Sequence, residues 1–326
     1  MQSTADRVRH VHKAVLAAEA TLRAAHPWLR HQDAIGLALW LVGVVGVGAV
    51  AWAYLHALVP AWATVVAVAL LASILHELEH DLIHNLYFKA QPWLQHLMLT
   101  GIWLGKVSLN PWTRRVLHLR HHRISGQVGD VEERLIGLGE RNLLLRLTVA
   151  YVPFLGVPIV LVRAVADAPD WQPLDPVPLW HYKRWRQRID LVFGTAPIWL
   201  TVLAVMGQPW AVDLLVILVL PNLLRHGCIA LISSYCHYYG DIAPHDVTVQ
   251  NQILRHWALW PLQLFCFDFG ATHIIHHYVV QQPFYIRHWV RKQAWQALEE
   301  IGTRVNDFGV IARANRYGVW PIAAAK

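Results

Sequence analysis

Residues 76–84 read HELEHDLIH. His76, His80 and His84 recur at every fourth position, with Glu77, Glu79 and Asp81 between them, directly after a long apolar run. Ionisable groups at the mouth of a hydrophobic helix are costly unless they are paired or bound to something. Positions four apart lie on one helix face, so His80 and His84 can converge while His76 sits one turn deeper.

The rest of the chain explains the apolar run. Hydrophobic residues make up 56% of the 326 positions and charged residues only 15%, where a soluble domain carries about 25% charge. The 17 tryptophans suit a lipid–water interface. The formal charge of +7 comes from residues in loops between apolar segments, which fits positive-inside topology and not a nucleic-acid footprint. Cys228, Cys236 and Cys266 form no CxxC and no framework, and read as reduced thiols.

Four segments are read as membrane helices: 34–58, 61–80, 190–207 and 211–235. They form two hairpins. The links within each hairpin lack Lys and Arg, which places them outside, whereas HYKRWRQR (181–188) stays inside. Segment 142–165 is apolar but interrupted by Arg146, Pro153, Gly156 and Pro158, and reads as re-entrant or interfacial. Residues 1–30 carry Arg7, Arg9, Lys13, Arg23 and Arg30 and read as a cationic amphipathic helix on the inner membrane surface, or as a solvated tail. The expected architecture is one all-α membrane domain over 1–326. About four transmembrane helices lie beneath a cytoplasmic helical cap (236–326) that holds a di-metal site, in the inner membrane of a bacterium.

Two further clusters share the helical spacing. HLRHH supplies His118, His121 and His122, and HIIHH supplies His273, His276 and His277, while His237 follows the fourth span. By this topology all of them emerge on one side. A lone histidine is more often packing, surface or cap than ligand, and His10, His12, His26, His31, His56, His96, His181 and His288 are read that way. Two HxxHH clusters beside HDLIH are much harder to dismiss. About nine imidazoles exceed what one zinc uses and fit two metals with positions left open. Neutral nitrogen donors with open positions point to iron that reacts with O2. Asp81, Asp241 and Asp268 are candidates for fixing the imidazole tautomers.

HDLIHNLYF, HLRHH and THIIHH resemble the three histidine boxes of the integral-membrane fatty acid desaturase and hydroxylase superfamily, over roughly two thirds of the chain. The resemblance implies a histidine-ligated di-iron centre. It also implies O2 as co-substrate, two electrons from a ferredoxin- or cytochrome-type donor protein, and attack on a C–H bond of a fatty acid or acyl chain. Carried over by position, the metal ligands would be His80, His84, His118, His121, His122, His237, His273, His276 and His277. HELEH also resembles the first box of membrane alkane hydroxylases, which would make His76 an alternative ligand. SSYCHYYG departs from the corresponding motifs at Ser233, Ser234 and Cys236.

Desaturation leads among the implied reactions. Hydroxylation, or decarboxylation to a terminal alkene as in related bacterial enzymes, stands beside it. From another class, HELEH satisfies HExxH, so a membrane zinc protease using His76, His80 and Glu77 is a rival. A metal transporter would instead place its ionisable residues near the bilayer midplane.

Overall fold

A computed structural model describes residues 3–106, 110–167, 184–240, 242–243 and 245–315. Among the described residues 76% are helical, with isolated bridges but no strands. Four of the described helices are long and apolar enough to cross a membrane: Gln32–Leu55, Ala61–Ile83, Arg188–Val205 and Pro209–Cys236.

The chain begins with α1 (Thr4–Ala25), whose Ser3 cap and Asp6 form a reciprocal capping box. Helices α2 (Gln32–Leu55) and α3 (Ala61–Ile83) make the first hairpin. Glycines on α2 permit their close approach: a Cβ on Gly43 would come within 2.4 Å of Leu75, and one on Gly36 within 2.5 Å of Tyr87. Small residues at such seams are how helices associate in lipid, where there is no hydrophobic drive to pack. The outer face of α2 leaves Leu41, Val42, Val45, Trp52 and Leu55 exposed, as a lipid-facing surface does. Trp52, Trp62 and Trp210, all exposed, flank the two hairpin turns and form part of an interfacial aromatic girdle.

Next come α4 (Pro92–Lys106), α5 (Pro111–Ile124) and the short α6 (Val131–Leu135). The 142–165 segment folds as α7 (Leu143–Tyr151) and α8 (Pro153–Asp167), separated at Val152. The break has a local cause, because the residue before a proline is pushed out of the helical region. Gly156 then lets α8 press against α7, where a Cβ would meet the Val149 backbone at 2.5 Å.

The second hairpin is α9 (Arg184–Val205) followed by α10 (Pro209–Leu214), a π turn (Leu215–Val219) and α11 (Leu220–Cys236). Gly227 of α11 accommodates the Tyr151 ring, which a Cβ would meet at 2.0 Å. Of the basic run 181–188, residues 181–183 lie outside the described residues and the rest form the start of α9. Short helical turns, including α12 (Trp260–Gln263), lead to α13 (Phe269–Tyr278) and α14 (Phe284–Glu300).

The α1 segment lies against this last part of the chain. Val11 and Val15 are buried with Ile274 and Ile275 of α13 and Ile286, Val290 and Ala294 of α14. Its Val11 and Val15 are therefore covered by protein, which corrects the reading of residues 1–30 as a solvated tail.

Candidate metal centre

Each histidine is delivered by a helix whose ends are fixed locally. In α3 the chain stops after His84, where Asn85 turns into the left-handed region (φ 56°) and accepts from Arg115 at 3.1 Å. Asparagine tolerates that conformation better than most residues. Helix α5 starts on the Asn110 side chain, which accepts from the Trp112 and Thr113 amides, with Pro111 in the first turn. This sets the phase that points His118, His121 and His122 inward. Phe267 and Asp268, both left-handed (φ 52° and 57°), precede α13, which presents His273, His276 and His277. His237 caps α11 in an extended conformation. The α3 and α11 helices lie alongside one another, and their C-terminal ends meet at these histidines.

The nine rings fall into two groups. One comprises His80, His84, His118, His122 and His276, and the other His121, His237, His273 and His277; within each, one nitrogen per ring lies within 4.8 Å of all the others. In the first group His276 Nε2 is 3.1 Å from His84 Nε2 and 2.9 Å from His122 Nε2, and His122 Nε2 is 3.1 Å from His118 Nε2. In the second, His273 Nε2 is 3.1 Å from His237 Nε2 and 3.0 Å from His277 Nε2, while His121 Nε2 is 3.4 Å from His277 Nε2. Donors about 2.1 Å from a common ion stand ~3.0–3.4 Å apart, so both groups have the spacing of ligand sets. The His118 and His121 rings, with centroids 5.6 Å apart, join the two.

Partners on the outside fix which nitrogen faces inward. His118 Nδ1 meets Glu132 at 3.0 Å, His121 Nδ1 meets Asp130 at 2.8 Å, and His237 Nδ1 meets the Ser233 carbonyl at 2.7 Å. An Nδ1–H donated outward leaves the Nε2 lone pair pointing into the cluster. Both ring nitrogens of His80 are buried without a hydrogen-bond partner among the described residues. Buried lone pairs crowded together with few donors among them are what a cation would satisfy.

Electrostatics favour the same state. Burial, reinforced by neighbouring histidines and by Arg114, holds His118 well below the usual histidine range, and burial does the same for His122, His273, His276 and His277. Burial and His118 push His84 down to about 2, and burial and His121 push His237 down to about 3. These rings are neutral and able to donate to a metal. His121 is the exception: burial opposes its charge, but Asp130 overcomes that and lifts it to about 10. A metal at this ring therefore displaces a proton.

Other expected residues are placed differently. His76 does not join either group. Its Nδ1 is 3.0 Å from Lys106 Nζ and its Nε2 is 3.2 Å from an Arg114 nitrogen. Two cationic groups against its two nitrogens disfavour a metal there, which corrects its reading as an alternative ligand. Asp81 approaches His80 Nδ1 only to 4.0 Å and accepts instead from Tyr87, the Phe284 amide and Arg287. It braces α3 against the start of α14, so its expected role in fixing a tautomer is also corrected. Asp268 faces His288 at 3.8 Å and Arg291 at 3.7 Å, away from the cluster, and is corrected likewise. Asp241 lies outside the described residues.

Sequence reasoning missed the acids that do meet the rings, Asp130 and Glu132. Glu133 stands behind them, 3.6 Å from His121 Nδ1, and is held by Ser125 and the Gly126 amide. The available signal was the acid-rich stretch DVEERL (130–135), one short turn after HLRHH (118–122). The departure at Ser233 also finds its explanation, because its backbone carbonyl holds His237.

Asp130→Asn keeps an acceptor for His121 but removes the charge behind it. Affinity for metal in the four-histidine group should fall by ~10–100-fold, with the five-histidine group unchanged. Chelator competition resolves the two, and equal weakening of both would contradict this assignment.

In comparison with curated proteins the chain has no match. A family model for fatty acid desaturase matches residues 57–309, which contain both histidine groups and all four apolar spans except the first. Taken with the four candidate membrane spans and the histidine groups, that match means the chain belongs to the fatty acid desaturase family.

Proposed function

We propose that the protein is an O2-dependent di-iron oxidase that attacks a C–H bond of a fatty acid or fatty acyl chain. Desaturation is the leading reaction; hydroxylation and decarboxylation to a terminal alkene are the alternatives. The observation that carries this reading is the division of nine imidazoles, most of them buried, into groups of five and four. That is more nitrogen than one zinc takes, and their lone pairs are turned inward by partners outside. Iron held by these imidazoles would activate O2, the oxidant, which takes two electrons from the lipid C–H bonds and two from a ferredoxin- or cytochrome-type donor.

The chain's own residues do the rest. Glu132, Asp130 and the Ser233 carbonyl hold the rings in one tautomer. The buried histidine walls keep water away, and the lipid-exposed faces of the spanning helices offer a substrate its way in. The histidines lie at the end of the bundle opposite the two hairpin turns, whose links lack Lys and Arg. On that basis the single domain has its histidine cap in the cytoplasm, above a bacterial inner membrane. The HExxH protease reading has nothing in its favour here, since His76 is held between Lys106 and Arg114.

The test is metal content per polypeptide, by elemental analysis of detergent-purified protein made with iron available, followed by O2 uptake on lipid substrates. Two irons with lipid-dependent O2 uptake are expected. One zinc per chain and no O2 uptake would overturn the reading.

A further inference from the structure

On the membrane side of the histidines lies a set of buried charges that the metal site does not use. Glu79 accepts from both Lys106 and Arg114. Glu77 and Asp81 face Arg287, at 3.7 Å and 3.2 Å. Every carboxylate of this set is thus engaged. Arg225, on α11 within the fourth span, is 3% exposed, yet its Nε and Nη1 are buried with no hydrogen-bond partner among the described residues. Its electrostatic neighbours are Glu79, Arg114, Cys266 and Glu77. A guanidinium keeps its charge in a protein. Glu79 and Glu77 act on it only at a distance and are already engaged, so four cations, Lys106, Arg114, Arg225 and Arg287, stand against three carboxylates, Glu77, Glu79 and Asp81. A buried cation in excess is unfavourable and calls for a further anion.

We propose that Arg225 receives the carboxylate of a free fatty acid, which rests on the oxidase reading above and names its substrate class. The guanidinium lies inside a membrane-spanning segment, so its anion arrives through lipid with an apolar body. The acyl carbonyl of an ester or thioester carries no charge, so among acyl classes the free acid is the one that brings a carboxylate to this position. Guanidinium and carboxylate match as a charge-assisted, two-pronged pair.

Calorimetric titration of the purified, metal-assayed protein with dodecanoic acid and with methyl dodecanoate at pH 8 tests this. The acid should bind at least tenfold more tightly than the ester. Arg225→Gln should reduce the acid to the ester's affinity without changing the ester's affinity or the iron content, and Arg225→Lys should keep part of the preference. Equal binding of acid and ester by the unaltered protein would overturn the proposal, and so would an acid preference that survives Arg225→Gln. Displacement of dodecanoate by millimolar acetate or phosphate would show a site for small anions and overturn it as well. If Arg225→Gln does not fold, the acid–ester comparison on the unaltered protein decides alone. The binding readout is separate from the oxidase reading: protein carrying zinc would sink that reading and still reveal whether Arg225 selects a carboxylate.

Discussion

His273→Ala is expected to lower the metal content from two ions per chain to one and to bring lipid-dependent O2 uptake to background. His273 is the hub of the four-histidine group, 3.1 Å from His237 Nε2 and 3.0 Å from His277 Nε2. Its loss leaves three imidazoles, one of which, His121, has to surrender a proton before it can bind. His276→Ala provides the contrast. That ring belongs to the group of five, so four imidazoles stay behind, enough for a complete set. The second variant should therefore keep more metal than the first while also losing activity, because His276 bridges His84 and His122. Elemental analysis beside O2 uptake decides the matter. Two ions retained in His273→Ala would dissolve the division into two groups.

Glu79→Ala should be the most destabilising change away from the histidines. The Glu79 carboxylate is fully buried and is the shared partner of Lys106 and Arg114. Burial, only partly offset by Glu79, already pulls Lys106 down to about 7. Removing one member of a buried ion pair costs ~3–5 kcal/mol, since the cations left behind keep their desolvation penalty. The Arg255–Glu299 pair, at 2.7 Å and exposed, is a useful control, because exposed pairs contribute only ~0–1 kcal/mol. Denaturation in mild detergent should show the large loss for Glu79→Ala and almost none for Glu299→Ala. Similar losses for both would mean that the Glu79 network is solvated.

The features legible in the sequence are those set by local periodicity. Spacings of three and four put HLRHH and HIIHH each on one helix face, and uninterrupted apolar runs marked the four spans within a few residues of their ends. Features that depend on distant parts of the chain were not legible. His76 and His80 look equivalent in HELEH until Lys106 and Arg114 arrive from two other helices and take up His76. Asp81 has the right charge in the right box, but the start of α14 and Arg287 claim it. Asp130 and Glu132 reach the rings only because the chain doubles back after Ile124, through Gly126 at φ 82°. Ser233 broke the expected motif as a side chain and yet serves through its carbonyl, which no side-chain pattern can register.

The seating of α1 against α13 and α14 has a consequence for the order in which the protein folds. Val11 and Val15 are separated by most of the described chain from Ile274, Ile275 and Val290, the residues that bury them. Contacts so distant along the chain form late. The helix bearing His273, His276 and His277 is thus clamped only late in folding. Both histidine groups draw on that helix, so neither is held in its final geometry until that long-range docking is made.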